Sequence, residues 1–496
     1  MGIVQRDSIK ITVLSYIGAT IGYFNKILLF TNFLTTEQVG LANIIIPMAT
    51  IIAQLSALGM NSTTLRFFPF FKTKDKKHNG YLFWAVTVIT FGFIIFATLF
   101  LLFKNPIINY YQKNSPLISE YYLYLIPLAF AILFFNLFDN YLRSLFKNVV
   151  PVFAYEILLR VFVSVSIVLF ALKIVDFHQF FIIYLLANSL PTFILLIYII
   201  FLKQFYFKPI VSSILKRLLK IIFVYSLFSF VNTISYQFLT IVDSLMVAGM
   251  INLKATGIYT TVLFITSVMM IPYKAIAKVS APIISESWKK RDMKTMADVY
   301  KKTSSVNLVT GGFVFILLWV NFNNILSLIP SEYESGKYVF LILGFAKMCD
   351  MYTGVNGTIL FTSRNYRWDL LFTVVLIFLT IFLNKLLIPI YGMEGAAIAS
   401  LLTIFTYNAL RVIFIQLKFK IHPLNFKHLL VLIICICVSL ISGEINYMGN
   451  LIVDVIVRSL ICTVIFVIPV YYLKVSEDIN SFIIIFLSKI KLKIKK

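Results

Sequence analysis

Apolar residues along this chain gather into blocks of about 20 to 27, the length that carries a helix across roughly 30 Å of hydrocarbon. Strands of a membrane barrel would run about ten residues with alternating polarity, so the blocks predict a helical bundle. About fourteen spans are expected, near 8–33, 38–68, 81–103, 120–146, 151–172, 179–202, 219–250, 256–283, 303–329, 336–362, 367–389, 394–417, 428–443 and 451–473. The thirteenth is the shortest and ends in Ser442-Gly443-Glu444; without it the orientation of the tail would invert. Connections are short, the longest outer one running from Asn105 to Glu120, which leaves no room for an external catalytic domain. The first block is too long for a signal h-region and lacks a small-residue cleavage site, so it is expected to be retained.

Composition sharpens this to a fold class. The 496 residues are 60% hydrophobic and 13% charged, with mean hydropathy +0.93, more apolar surface than one soluble core buries. The expectation is an all-α, multi-pass integral membrane protein. A formal charge of +24 could suggest nucleic acid, but the Lys and Arg residues crowd alternate connections, from Arg6 and Lys10 through Lys72 to Lys77 and Lys203 to Lys220, to the tail beyond Lys489. That placement encodes topology, with no nucleic-acid partner, an even number of spans and both termini cytoplasmic. Two basic stretches, 203–220 and 285–302, fit either amphipathic helices at the inner surface or solvated linkers, and the Lys/Ile-rich tail suits acidic membrane lipids. Cys349, Cys435, Cys437 and Cys462 sit in apolar runs without a second ligand pair, and no metal or cofactor is implied.

An internal repeat organises the chain. Val39-Gly40-Leu41 matches Thr256-Gly257-Ile258, Lys74-Asp75-Lys76-Lys77 matches Arg291-Asp292-Met293-Lys294, and Phe146-Lys147-Asn148 matches Ser363-Arg364-Asn365, each pair offset by 217. Phe207-Lys208-Pro209 matches Ile421-His422-Pro423 with a slip of three. Six spans return the chain to its starting side, so the expected lobes, 1–210 and 211–425, are parallel repeats about an axis along the membrane normal, facing across a cleft. Residues 426–475 add two helices, and 476–496 form a basic cytoplasmic tail.

Candidate chemistry lies in ionisable residues inside spans, each costing roughly 2.5–3.5 kcal/mol on insertion scales. These are Lys26, Asp139, Arg143, Arg160, Asp243, Lys274, Lys278, Lys347, Asp350, Arg411 and Arg458. Arg143, Lys278 and Arg458 lie near helix ends, where snorkelling explains them equally well. Asp139 and Arg143, four apart, and Lys347 and Asp350, three apart, share helix faces and can neutralise one another. Lys26 lies roughly 24 Å from the start of its helix. Adding 217 to it reaches Asp243, so the two are expected to pair across the cleft when the outer side closes. Pro47, Pro127, Pro272 and Pro282 permit bends, and Pro272 adjoins Tyr273-Lys274. No G-x-x-x-x-G-K-[ST] loop, H-E-x-x-H or nucleophile arrangement is present.

Gly22-Tyr23-Phe24-Asn25-Lys26, Glu37-Gln38-Val39-Gly40-Leu41, Ala57-Leu58-Gly59-Met60 and Arg66-Phe67-Phe68-Pro69, with the two-lobe repeat, resemble the Wzx-type polysaccharide flippases of the multidrug/oligosaccharidyl-lipid/polysaccharide (MOP) exporter superfamily. The resemblance implies translocation of undecaprenyl-pyrophosphate-linked oligosaccharide across a bacterial inner membrane, with other polysaccharide-assembly proteins as partners. Cations in the cleft would offset the cost of bringing phosphate into low dielectric. Lys26, Arg66, Lys274 and Lys347 are the first candidates for anion contact, with Arg143, Arg160 and Arg411 behind them; an H+ or Na+ coupling ion stays open. The alternatives are a cation-coupled drug exporter, a lipid II flippase, a sugar porter of the major facilitator type, and a membrane polysaccharide polymerase or ligase. Buried acids with basic partners weigh against the first, and short outer loops against the last.

Overall fold

The computed structural model describes residues 3–423, 425–443, 448–481 and 484, and every regular element among them is helical. In hydrocarbon each backbone N–H and C=O needs a partner within its own segment, which helices supply without an open edge. Helix ends then fall where side chains can cap them. Thr35 and Gln38 form a capping box ahead of the Thr36–Ser56 helix: the Gln38 amide donates to Thr35 Oγ1 at 3.3 Å, and the Thr35 amide to Gln38 Oε1 at 3.0 Å. Asp176 and Gln179 repeat the device before Phe177–Phe201, at 2.7 and 3.1 Å.

The chain divides into two units, Met1–Gly257 and Ile258–Lys496. In the first, the predicted second span is two helices, Thr36–Ser56 and Met60–Phe71, broken at Gly59 where φ is +78°. The predicted 105–120 loop holds two short helices, Lys104–Gln112 and Pro116–Glu120. Between them Asn114 and Ser115 satisfy carbonyls that end the 38-residue Ser213–Met250 helix: Ser115 Oγ donates to Ala248 O at 2.6 Å, and Asn114 Nδ2 to Gly249 O at 2.7 Å. Aromatic rings fill the core, with Phe30, Tyr121, Tyr122, Phe180 and Phe181 all buried.

Gly40 and Gly257, the matched pair of the repeat, pack against each other within this unit. A Cβ on Gly40 would overlap the Leu253 carbonyl and lie 3.0 Å from the Gly257 nitrogen; a Cβ on Gly257 would overlap the Thr36 carbonyl and lie 3.1 Å from the Gly40 nitrogen. Thr36 and Leu253 are themselves offset by 217. The contact is therefore reciprocal, as a two-fold relation between the two segments demands.

In the second unit the Tyr366–Phe419 helix spans 54 residues, interrupted at Gly392 (φ +59°, ψ −134°), a conformation that only glycine adopts without strain. The predicted spans are therefore not one helix each. Ten described helices are long and apolar enough to cross a membrane, or eleven if Ser331–Tyr352 and Asn356–Thr362, bent by 50°, are one span. One of the ten, Arg367–Phe419, holds both predicted spans 367–389 and 394–417, since 53 residues at 1.5 Å each reach about 80 Å, more than twice the hydrocarbon thickness. Lys427–Ile441 is shorter, and Ser213–Met250 is not among the ten. The basic stretches form no separate surface helices: Ser212 caps a helix that runs on into the predicted seventh span, and 285–302 is a helix end at Lys290 followed by a start at Met293. Most of the basic tail lies outside the described residues.

Candidate functional site

Two membrane helices of the first unit each contain a π-helical turn, at Phe24–Leu29 and Ala154–Leu158. A π-turn inserts one extra residue and re-aims the side chains around it, at the expense of regular hydrogen bonding. The Ala154–Leu158 turn packs against the first helix, and the Phe24–Leu29 turn against the Leu159–Ala171 helix. A Cβ on Gly18 would lie 2.5 Å from Glu156 O, and one on Gly22 2.5 Å from Arg160 Nη1, so the two glycines thin the first helix where the 149–171 segment crosses it.

Arg160 is the hub of this crossing. Its Nη2 pairs with Glu156 Oε2 at 2.5 Å, and its Nη1 donates to the Gly18 carbonyl. Asn25, buried, donates from Nδ2 to the Arg160 carbonyl at 2.8 Å and accepts at Oδ1 from Ser164 Oγ at 2.7 Å. Lys26 follows in the same π-turn, and the Arg160 guanidinium acts on its ammonium electrostatically. Lys26, Arg160 and Glu156 thus share a crossing of apolar helices.

The remaining candidates are distributed differently. Arg143 holds Asp139 in a two-point pair on one helix, Nε to Oδ1 at 2.9 Å and Nη2 to Oδ2 at 2.8 Å. Arg66 is exposed and stacks over the Tyr225 ring at 4.5 Å. Asp243 is buried, and both it and Lys26 belong to the first unit. In the second unit, Arg411 pairs with Asp369 at 2.8 Å, donates to the Tyr407 hydroxyl and lies over the Tyr407 ring at 3.7 Å. Lys274 is exposed on its helix. Among the described residues Lys347 and Asp350 do not form the ion pair that their spacing allows; Asp350 instead accepts from Asn408 Nδ2 at 3.0 Å, in a network with Thr353 and Asn356. Arg458 pairs with the buried Asp454, which also accepts from Asn324 at 2.6 Å.

Glu156, Asn25, Asp369, Tyr407 and Asp454 are absent from the sequence-derived candidates. Glu156 and Asp454 stand four residues before Arg160 and Arg458, the spacing already used for Asp139 and Arg143, so the signal was present. Asp369 reaches Arg411 across 42 residues, which no local spacing reveals.

An all-helical membrane bundle with cations inside its spans defines a class, and solved structures share its fold. The inward closed conformation of the lipid II flippase MurJ matches at TM-score 0.71 and 14% identity, covering 92% of this chain and 98% of that one. An inward-facing multidrug resistance MATE family transporter of the MOP superfamily matches at TM-score 0.64 and 14% identity, covering 84% and 98%. The profile of the polysaccharide biosynthesis protein family matches residues 4–288, more than half of the sequence, and the chain belongs to that family. Agl15 of Haloferax volcanii, a probable low-salt glycan biosynthesis flippase, is 26% identical over 206 residues, 40% of this chain and 43% of that protein. The match thus spans less than half the length of that relative.

Proposed function

We propose that this protein is a flippase for lipid-linked oligosaccharide, carrying a pyrophosphate-linked glycan headgroup through the bundle while its lipid tail stays in the bilayer. The observation that carries this reading is the neighbouring cations Lys26 and Arg160 where the glycine-thinned first helix meets the segment that holds the Ala154–Leu158 π-turn. Cations held inside a membrane bundle suit an anionic ligand, and a pyrophosphate diester supplies about two negative charges and several acceptor oxygens. Family membership and the glycan-flippase relative point to the same substrate class. The carrier lipid of this reading is undecaprenol, the membrane is the bacterial inner membrane, and both termini are cytoplasmic. Lys26 also serves the outer gate through Asp243. A polymerase or ligase is not favoured, since the fold is shared with a lipid II flippase and a MATE transporter and the relative Agl15 is a probable glycan biosynthesis flippase.

The test is translocation of lipid-linked oligosaccharide in proteoliposomes, with and without an ion gradient. Wild type is expected to translocate it, and Arg160→Gln to fall at least tenfold, the loss of one charge-assisted contact of about 1.4 kcal/mol. Efflux of a cationic dye without movement of any pyrophosphoryl lipid would replace this reading with a drug exporter.

A further inference from the structure

Glu156 holds the position on Arg160 that an anionic ligand needs. We infer that it is an internal substitute for the substrate's phosphate, a built-in competitor that must leave Arg160 before the headgroup binds and returns when the headgroup departs. The inference rests on the anion-site reading above and adds the residue that sets its affinity.

The geometry of the guanidinium carries it. A guanidinium offers carboxylate and phosphoryl oxygens the same planar fork of donors. In Arg160 one branch is committed to the Gly18 backbone and the other to Glu156, so the backbone contact fixes the side chain while the carboxylate occupies the exchangeable branch. Both side chains keep about a quarter of their surface open, 24% for Arg160 and 23% for Glu156, so the pair can be reached from outside. Arg411 and Asp369 retain only 13% and 12%, and Arg411 is further held by Tyr407.

Position in the chain supplies the second argument. Glu156 lies within the π-turn Ala154–Leu158, whereas Arg160 lies in the regular helix that follows. A π-turn can shift its extra residue along the helix and rotate the side chains it carries. Such a shift would swing Glu156 off while Arg160 stays on Gly18. Charge favours the exchange: withdrawing Glu156 takes a carboxylate away from the Arg160 guanidinium and leaves that branch to the oxygens of a pyrophosphate.

The experiment measures inorganic pyrophosphate binding to the full chain in nanodiscs of zwitterionic lipid. Glu156→Gln is expected to bind at least fivefold tighter than wild type, and Arg160→Gln to lose binding. Glu286→Gln, which removes an equal charge from the exposed Glu286–Lys290 pair, is expected to match wild type. Glu156→Gln binding equal to or weaker than wild type, with Arg160→Gln still defective, overturns the inference: Glu156 is then a brace for Arg160, and the anion site stands. Wild-type binding by Arg160→Gln removes the site itself. If Glu156→Gln fails to give a monodisperse protein, Glu156→Asp keeps the charge but shortens its reach; at least twofold tighter binding supports the inference and unchanged binding overturns it.

Discussion

A methyl group added at Gly18 would meet backbone, whereas one at Gly22 would meet the tip of a side chain. The Gly18 methyl would lie 2.5 Å from the Glu156 carbonyl oxygen, fixed in its helix, and the Gly22 methyl 2.5 Å from Arg160 Nη1, which can swing aside. Gly18→Ala should therefore cost more stability, about 1–3 kcal/mol as for other overpacked sites. Gly22→Ala should cost less stability but displace the guanidinium and weaken pyrophosphate binding. Thermal unfolding and binding, measured on both variants, check this; identical losses in both assays would count against it. How legible each residue was depended on the reach of its interactions. Lys26 and Arg160 stood out because a charge inside an apolar run is visible in sequence alone, and Glu156 could have been found by its spacing. Tyr407, four residues before Arg411 on one helix, could have been found the same way, whereas Asp369 could not, because its contact with Arg411 spans 42 residues.

Helix ends and breaks carry the second layer of specification. Asp75 and Asp292, matched by the 217-residue offset, do different jobs. Asp75 accepts from the Thr73 hydroxyl and the Lys77 amide within a turn, while Asp292 caps the Met293–Val320 helix through the Thr295 amide at 3.0 Å and hydroxyl at 2.7 Å. Those hydrogen bonds, the Thr295 amide first, hold the Asp292 carboxyl below its ordinary value of 3.8. A lowered folded-state pKa means that the stabilisation is complete above the unfolded value and is lost as pH falls through the folded one. Asp292→Ala should thus unfold at a lower temperature than wild type near neutral pH, and the gap should narrow below about pH 4; a gap unchanged with pH would show that charge plays no part. Gly392 makes a separate prediction. Its φ of +59° with ψ of −134° excludes side chains even though nothing lies within 4 Å of a Cβ there, so Gly392→Ala should destabilise through backbone strain of about 1–3 kcal/mol. Full stability of that variant in thermal unfolding would place the joint between the two spans elsewhere. The blocks of apolar residues revealed these elements and the gap at Gly392, but the break at Gly59 lay hidden inside the expected span 38–68.

At the scale of the whole chain, hydropathy was enough to read the class, because the need to satisfy every backbone group in lipid leaves few architectures for so apolar a sequence. The boundary inside Arg367–Phe419 was legible too, since the expected spans 367–389 and 394–417 bracket its break at Gly392. Transport supplies the test at this scale. If Lys26 and Asp243 close the outer gate together, Lys26→Asp and Asp243→Lys should each lose at least tenfold in flipping of lipid-linked oligosaccharide, and the double reversal should regain most of it. A double variant as inactive as the singles would separate the two residues. The reciprocal seating of Gly40 on Gly257 bears on how such a pair could arise. A surface that meets its own counterpart is what a symmetric pair of identical copies has. In such a pair the positions of Lys26 and Asp243, also offset by 217, would hold the same residue, and opposite charges would be out of reach. In one continuous chain the two positions are independent, and a lysine can stand at one and an aspartate at the other.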